Sequence, residues 1–79
     1  MKEVIIDFMP TGKSIAEQLE AQGLSMSKKD ARRIQKLVDA IHLLDANKIL
    51  QDTVVFSCTR KVMREVHKAV KPRITGRCL

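Results

Sequence analysis

Apolar residues recur along most of this chain at helical spacing, and the places where the spacing stops mark its elements. The longest uninterrupted run, Leu24 to Lys71, holds neither glycine nor proline. Within it Ala31, Ile34, Leu37, Val38, Ile41 and Leu44 fall on one side of a helix, while Lys28, Lys29, Arg32, Arg33 and Lys36 fall on the other. The spacing predicts a helix from Lys28 to about Leu50, with Ser27 as its N-cap and Asp30 in the favourable first turn. Beyond Ile41 the pattern changes: Leu43 and Leu50 project onto the formerly basic side and Asp45 onto the apolar one. Either apolar partners surround the helix there, or it breaks near Asp45-Ala46-Asn47. We take the first, which puts Leu43 and Leu50 in a subunit interface.

Gln51-Asp52-Thr53 can turn the chain into another helix, which Pro72 then stops. On that helix Val55, Cys58, Val62, Met63, Val66, Ala69 and Val70 share a broad arc with Phe56 at its edge. Arg60, Lys61, Arg64, Glu65, His67, Lys68 and Lys71 fill the other side. Thr53 to Thr59 is dominated by β-branched residues, so a strand competes there; helical phase favours the helix. Earlier in the chain, Ser14-Ile15-Ala16-Glu17 has the form of a capping box. It predicts a short helix from near Ile15 that buries Ile15, Ala16 and Leu19 and ends at Gly23, a residue suited to the left-handed position after a helix. Val4 to Met9, closed by Pro10-Thr11-Gly12, reads as a strand or extended arm within residues 1–12. Such a strand must pair with its copy in a second subunit, pair with another segment, or lie along the helices. Residues 72–79 read as a basic, flexible tail.

The expected fold is therefore mainly α, in one domain over residues 1–79: a short N-terminal strand or arm, a short helix, then two long amphipathic helices. These form a helical hairpin or bundle completed by oligomerisation. Composition agrees with that choice. A chain of 79 residues buries only about 60% of its unfolded surface, so its own core is marginal. Aromatics are 3% of the chain, two Phe with no Trp or Tyr, so aliphatic residues and methionine must fill the interior, which suits interdigitating helices better than a β-sandwich. Cys58 and Cys78 make no disulfide framework and no C-x-x-C pair. No apolar run approaches the ~20 residues of a membrane span, and Met1 to Phe8 lacks a signal-peptide core. A soluble, cytoplasmic protein is expected.

The net charge of +6 is unevenly placed. Met1 to Asp52 carries eight Lys/Arg against eight Asp/Glu, whereas Thr53 to Leu79 carries seven Lys/Arg against Glu65 alone. The excess points to an acidic partner, nucleic acid or the acidic face of a protein, or to a solvated face that keeps the chain soluble. Arg60, Arg64 and Lys68 form the face on which we expect an acidic partner.

The inventory disfavours an enzyme: no Gly-rich phosphate loop, no nucleophile elbow and no close carboxylate pair is present. His42 lies at the edge of an apolar face and His67 on a basic one, which suits structural or exposed histidines. Cys58 with His67 does not make a zinc site, and Cys58 reads as a small buried hydrophobe. No catalytic residue, cofactor or metal is expected.

DNA binding is the sharper alternative, using either the Lys28, Lys29, Arg32, Arg33 and Lys36 stripe or the basic C-terminal helix. A helix-turn-helix centred on Gly23 would put Lys29 and Arg32 where that motif needs apolar contacts. Ser27 to Arg33 resembles the second helix of HU-type DNA-bending proteins and Ile15-Ala16-Glu17 their first, but the inter-helix spacing and the β-saddle with Pro-tipped arms are missing. In size and layout, with its apolar N-terminus, capped Ser14 to Gly23 helix and helical pair, the chain resembles small basic phage and prophage regulators of the antirepressor type. That resemblance implies a non-enzymatic regulator that binds and disables a DNA-binding repressor. The helical surfaces themselves imply a homo-oligomer, dimer or tetramer, with Leu43, Leu50, Val55, Val62, Met63, Val66 and Val70 as its interface and core.

Overall fold

The computed structural model describes residues 3–9, 11–47 and 51–77. Five elements follow in order: β1 (Glu3–Asp7), α1 (Ile15–Ala21), α2 (Lys28–Ala46), α3 (Asp52–Val70) and β2 (Arg73–Arg77). The protein is thus mainly helical with a short N-terminal strand. None of its described helices is long and apolar enough to cross a membrane.

The helix starts follow local chemistry. Ser14 Oγ accepts the Glu17 N–H at 3.2 Å and Ser27 Oγ accepts that of Asp30 at 3.2 Å, each satisfying a backbone donor that the first turn leaves over. α1 ends in a Schellman turn: Leu24 N–H returns to Leu19 O and Gly23 N–H to Glu20 O, both at 2.9 Å, with Gly23 at φ 81°. Leu24 then packs onto the core. α2 stops at Ala46, short of the end expected near Leu50, because Asn47 caps it. Its backbone N–H and its side-chain Nδ2 both donate to Leu43 O, at 3.1 and 2.8 Å. The break weighed at Asp45-Ala46-Asn47 is the one found, and it leaves Asp45 exposed. Leu50 lies outside the described residues.

Thr53 to Thr59 is helical. The β-branched side chains are tolerated because Val55, Thr59, Val62 and Val66 form one buried stripe, and the Thr59 hydroxyl donates to Val55 O one turn back at 2.9 Å. Thr59 is a member of the stripe that apolar periodicity alone passes over. Lys71 closes α3 in the left-handed region at φ 62°, its N–H on His67 O at 2.7 Å, and Pro72 prevents any continuation.

The segment expected to be a flexible tail is instead a strand over Arg73–Arg77. β2 pairs in parallel with β1, Val4 beside Ile74 and Ile6 beside Gly76. Of the three fates open to the N-terminal strand, pairing with another segment of the chain is the one realised. The core sits between this ribbon and the helices: Val4, Ile6, Phe8, Ile15, Leu19, Ile34, Val38, Ile41, Val62 and Val66 form one buried cluster. Val55, Val62 and Val66 therefore have their burial inside a single chain, with Met63 and Val70 half-buried against the same cluster. Phe8 lies over Gly76, where a Cβ would overlap the ring; only a glycine leaves that ring its place.

The two strand edges are treated differently. The outer edge of β1 is sealed by two glutamines one turn apart, Gln18 on α1 and Gln22 at its C-cap. Gln22 takes the Ile5 N–H on Oε1 at 3.0 Å and gives Nε2–H to Ile5 O at 2.8 Å. Gln18 does the same for Asp7, at 2.6 and 2.9 Å. Each carboxamide offers one donor and one acceptor, as a neighbouring strand would, and so closes an edge that could otherwise template further pairing. A third glutamine, Gln35 on α2, accepts the Ile15 N–H at 3.1 Å and ties the start of α1 to α2.

Candidate partner-binding surface

The α2–α3 packing brings together two basic faces that the sequence keeps apart. Arg33 reaches Glu65 at 3.0 Å, so the N-terminal part of α2 lies beside the C-terminal half of α3. Glu65 also meets Lys68 at 3.9 Å, and Asp30 meets Arg33 at 3.6 Å. These contacts are largely solvated and contribute little to stability. Their consequence is positional. Lys28, Lys29, Arg32 and Lys36 on one helix and Arg60, Lys61, Arg64 and Lys68 on the other are all exposed, and Glu65 stands at the seam between the two sets.

Two depressions are cut into this basic surface. One lies on α2 and is lined by Lys28, Lys29, Arg32, Arg33 and Lys36, the five residues of the stripe read from the sequence. The other lies where the flank of α3 turned away from α2 meets β2, and is lined by Arg60, Met63, Arg64, His67 and Ile74. It combines two guanidinium groups with two apolar side chains, a lining suited to a peptide more than to bare phosphate. His67 Nδ1–H donates to Pro72 O at 2.9 Å, which ties the end of α3 to the approach of β2. Lys68 stands nearer the seam, on Glu65. Of the expected acidic-partner face, then, Arg60 and Arg64 share the groove with β2.

The apolar exposure is elsewhere. Leu43 is 65% exposed, Val54 44% and Phe56 51%, and all three lie where α2 gives way to α3. The Arg60 guanidinium sits 5.6 Å from the Phe56 ring centroid, a cation–π distance that covers one face of the ring. Leu43 is thus where its phase put it, on the solvent side. Val54 and Phe56 are also exposed, but two residues apart on a helix they face opposite flanks of α3; Phe56 is the one that the sequence places at the edge of the core.

The remaining candidates have structural surroundings. His42 donates through Nε2–H to Phe8 O, holding the chain where it leaves β1. Cys58 is a half-buried free thiol packed against the core. Among the described residues no three His, Cys, Asp or Glu side chains stand together as metal ligands would. Sequence reading missed the glutamines that seal β1 and the Ile74 wall of the groove. Its available signal was the one-turn spacing of Gln18 and Gln22 on a short helix next to a lone strand. Comparisons of the chain with protein-family models, curated proteins and solved structures give no match.

Proposed function

We propose that the protein is a non-enzymatic regulator that works by direct protein–protein binding, in the manner of an antirepressor, through the cationic flank of α3. The supporting observation is the groove in which Arg60 and Arg64 flank Met63 and Ile74. Charge there would select and steer an acidic partner, and the apolar pair would supply contact area. A DNA-binding repressor with an acidic face fits that chemistry. Self-association is proposed for the other end of the helix pair, through Leu43, 65% exposed, which leaves the groove clear. The α2 depression with its five cations favours a second reading, phosphate contact by nucleic acid, whose affinity would fall steeply with added salt.

Capture from cells of the native source separates these readings. Relative to the unaltered protein, Arg60→Glu/Arg64→Glu/Lys68→Glu is expected to lose a captured protein partner, and Lys28→Glu/Lys29→Glu/Arg32→Glu to keep it. Retention of the partner by the first variant, or capture of nucleic acid that only the second variant loses, would reject the α3 surface as the functional one. All six positions are exposed, so both variants are expected to fold, which circular dichroism checks.

A further inference from the structure

We propose that the partner supplies an extended segment of alternating apolar and acidic residues, which adds to the sheet as a third strand along the outer edge of β2. This rests on the reading of the α3 flank as the partner surface. Ile5 and Asp7 of β1 point their backbone groups away from β2, and Gln22 and Gln18 meet all four. Val4 and Ile6 therefore face β2, and in a parallel ladder a residue bonds to the neighbours of its register partner. With Val4 beside Ile74 and Ile6 beside Gly76, it is Arg73, Thr75 and Arg77 whose backbones turn to β1; the Thr75 hydroxyl likewise reaches Val4 O. Ile74 and Gly76 turn theirs outward, where no described residue bonds to them. Among the described residues, dedicated side chains seal one edge and none covers the other.

The open edge runs along the groove. Ile74 belongs both to the edge and to the lining that Arg60, Met63, Arg64 and His67 complete. A strand laid beside β2 would turn every second side chain toward α3, onto Met63 and Ile74, and the others to the outer face of the sheet. That outer face carries Glu3, Ile5 and Arg73, all exposed, with Arg73 on the side next to the open edge. Apolar residues suit the inner positions. Acidic ones suit the outer positions opposite Arg73 and the rim held by Arg60 and Arg64, since opposite charges across a strand pair stabilise it and like charges do not. A second copy of this chain is the wrong occupant: pairing two β2 edges would set Arg60 and Arg64 of one copy against those of the other.

The test is an NMR titration of the isotopically labelled full chain with a short synthetic peptide in which valine and glutamate alternate. Alongside it go two forms N-methylated on every valine amide or on every glutamate amide, and a DNA duplex. Strand addition predicts shifts at Ile74, Thr75 and Gly76 and slowed exchange of the Ile74 and Gly76 amides. It also predicts loss of at least about tenfold in affinity for one methylated form and not the other, because one set of amides faces β2 and the other faces water. If both methylated forms bind like the parent and the shifts stay at Arg60, Arg64 and Lys68, strand addition is wrong and the α3 surface still stands. If no peptide shifts either region, or only the duplex does and acts at Lys28 to Lys36, both are wrong.

Discussion

Val66→Asp is expected to unfold the protein. Val66 is fully buried, 0% exposed, in the stripe that α3 turns to the core, and no described cation lies within that stripe to pair with a carboxylate. An unpaired charge there costs several kcal/mol, on the order of the 5 kcal/mol that is the whole stability of a small domain. Circular dichroism should show the helical signal lost at room temperature. Val54→Asp, on the same helix but 44% exposed, should leave the signal intact. Retention of native signal by Val66→Asp would mean that α3 is turned the wrong way round its axis.

Gly76→Ala should carry the next largest effect. A Cβ at this position would lie within van der Waals overlap of Phe8 Cε2 and Cδ2, and Phe8 is 0% exposed, so its ring cannot give way without disturbing the core around it. Overpacking of this kind costs about 1–3 kcal/mol, read as a fall in the urea midpoint with the slope unchanged. A smaller side chain at position 8 should relieve the overlap. Phe8→Leu alone should destabilise, yet adding it to Gly76→Ala should restore part of the loss, a non-additivity expected only of residues in contact. Strict additivity, or a Gly76→Ala midpoint equal to that of the unaltered protein, would separate β2 from Phe8.

These two sites differ in how far the sequence announces them. Val66 belongs to a stripe at helical spacing, and Ser14, Gly23 and Ser27 act over three to five residues, so composition within one turn is enough to place the helices. Gly76 is different. Arg73-Ile74-Thr75-Gly76-Arg77 has one large apolar residue, and nothing near it indicates that Val4 to Ile6, about seventy residues earlier, lies alongside. The pairing becomes visible only when both strands are set on the same helical layer. The glutamines follow the same rule: Gln18 and Gln22 read as the polar side of a short helix until β1 is placed against them.

The basic faces show a further limit. Phase within α2 and α3 identifies Lys28 to Lys36 and Arg60 to Lys68 as solvent-facing, but their meeting at Arg33 and Glu65 depends on how the two helices pack. Likewise the groove beside Arg60 and Arg64 exists because a segment read as tail returns as a strand and brings Ile74 to the helix flank. The side chains that carry the charge were legible, and the apolar wall that gives the groove its shape was not.

Amide hydrogen exchange of the free protein reads the sealed edge of β1 and the outward edge of β2 residue by residue. Across β1 every amide from Val4 to Asp7 should be protected. Along β2, Thr75 and Arg77 should exchange slowly while Ile74 and Gly76 exchange fast, and Gln18→Ala/Gln22→Ala should add Ile5 and Asp7 to the fast set. Uniformly fast exchange from Arg73 to Arg77 would return this segment to the status of a tail, and uniformly slow exchange would show the outer edge already covered; either result contradicts the account.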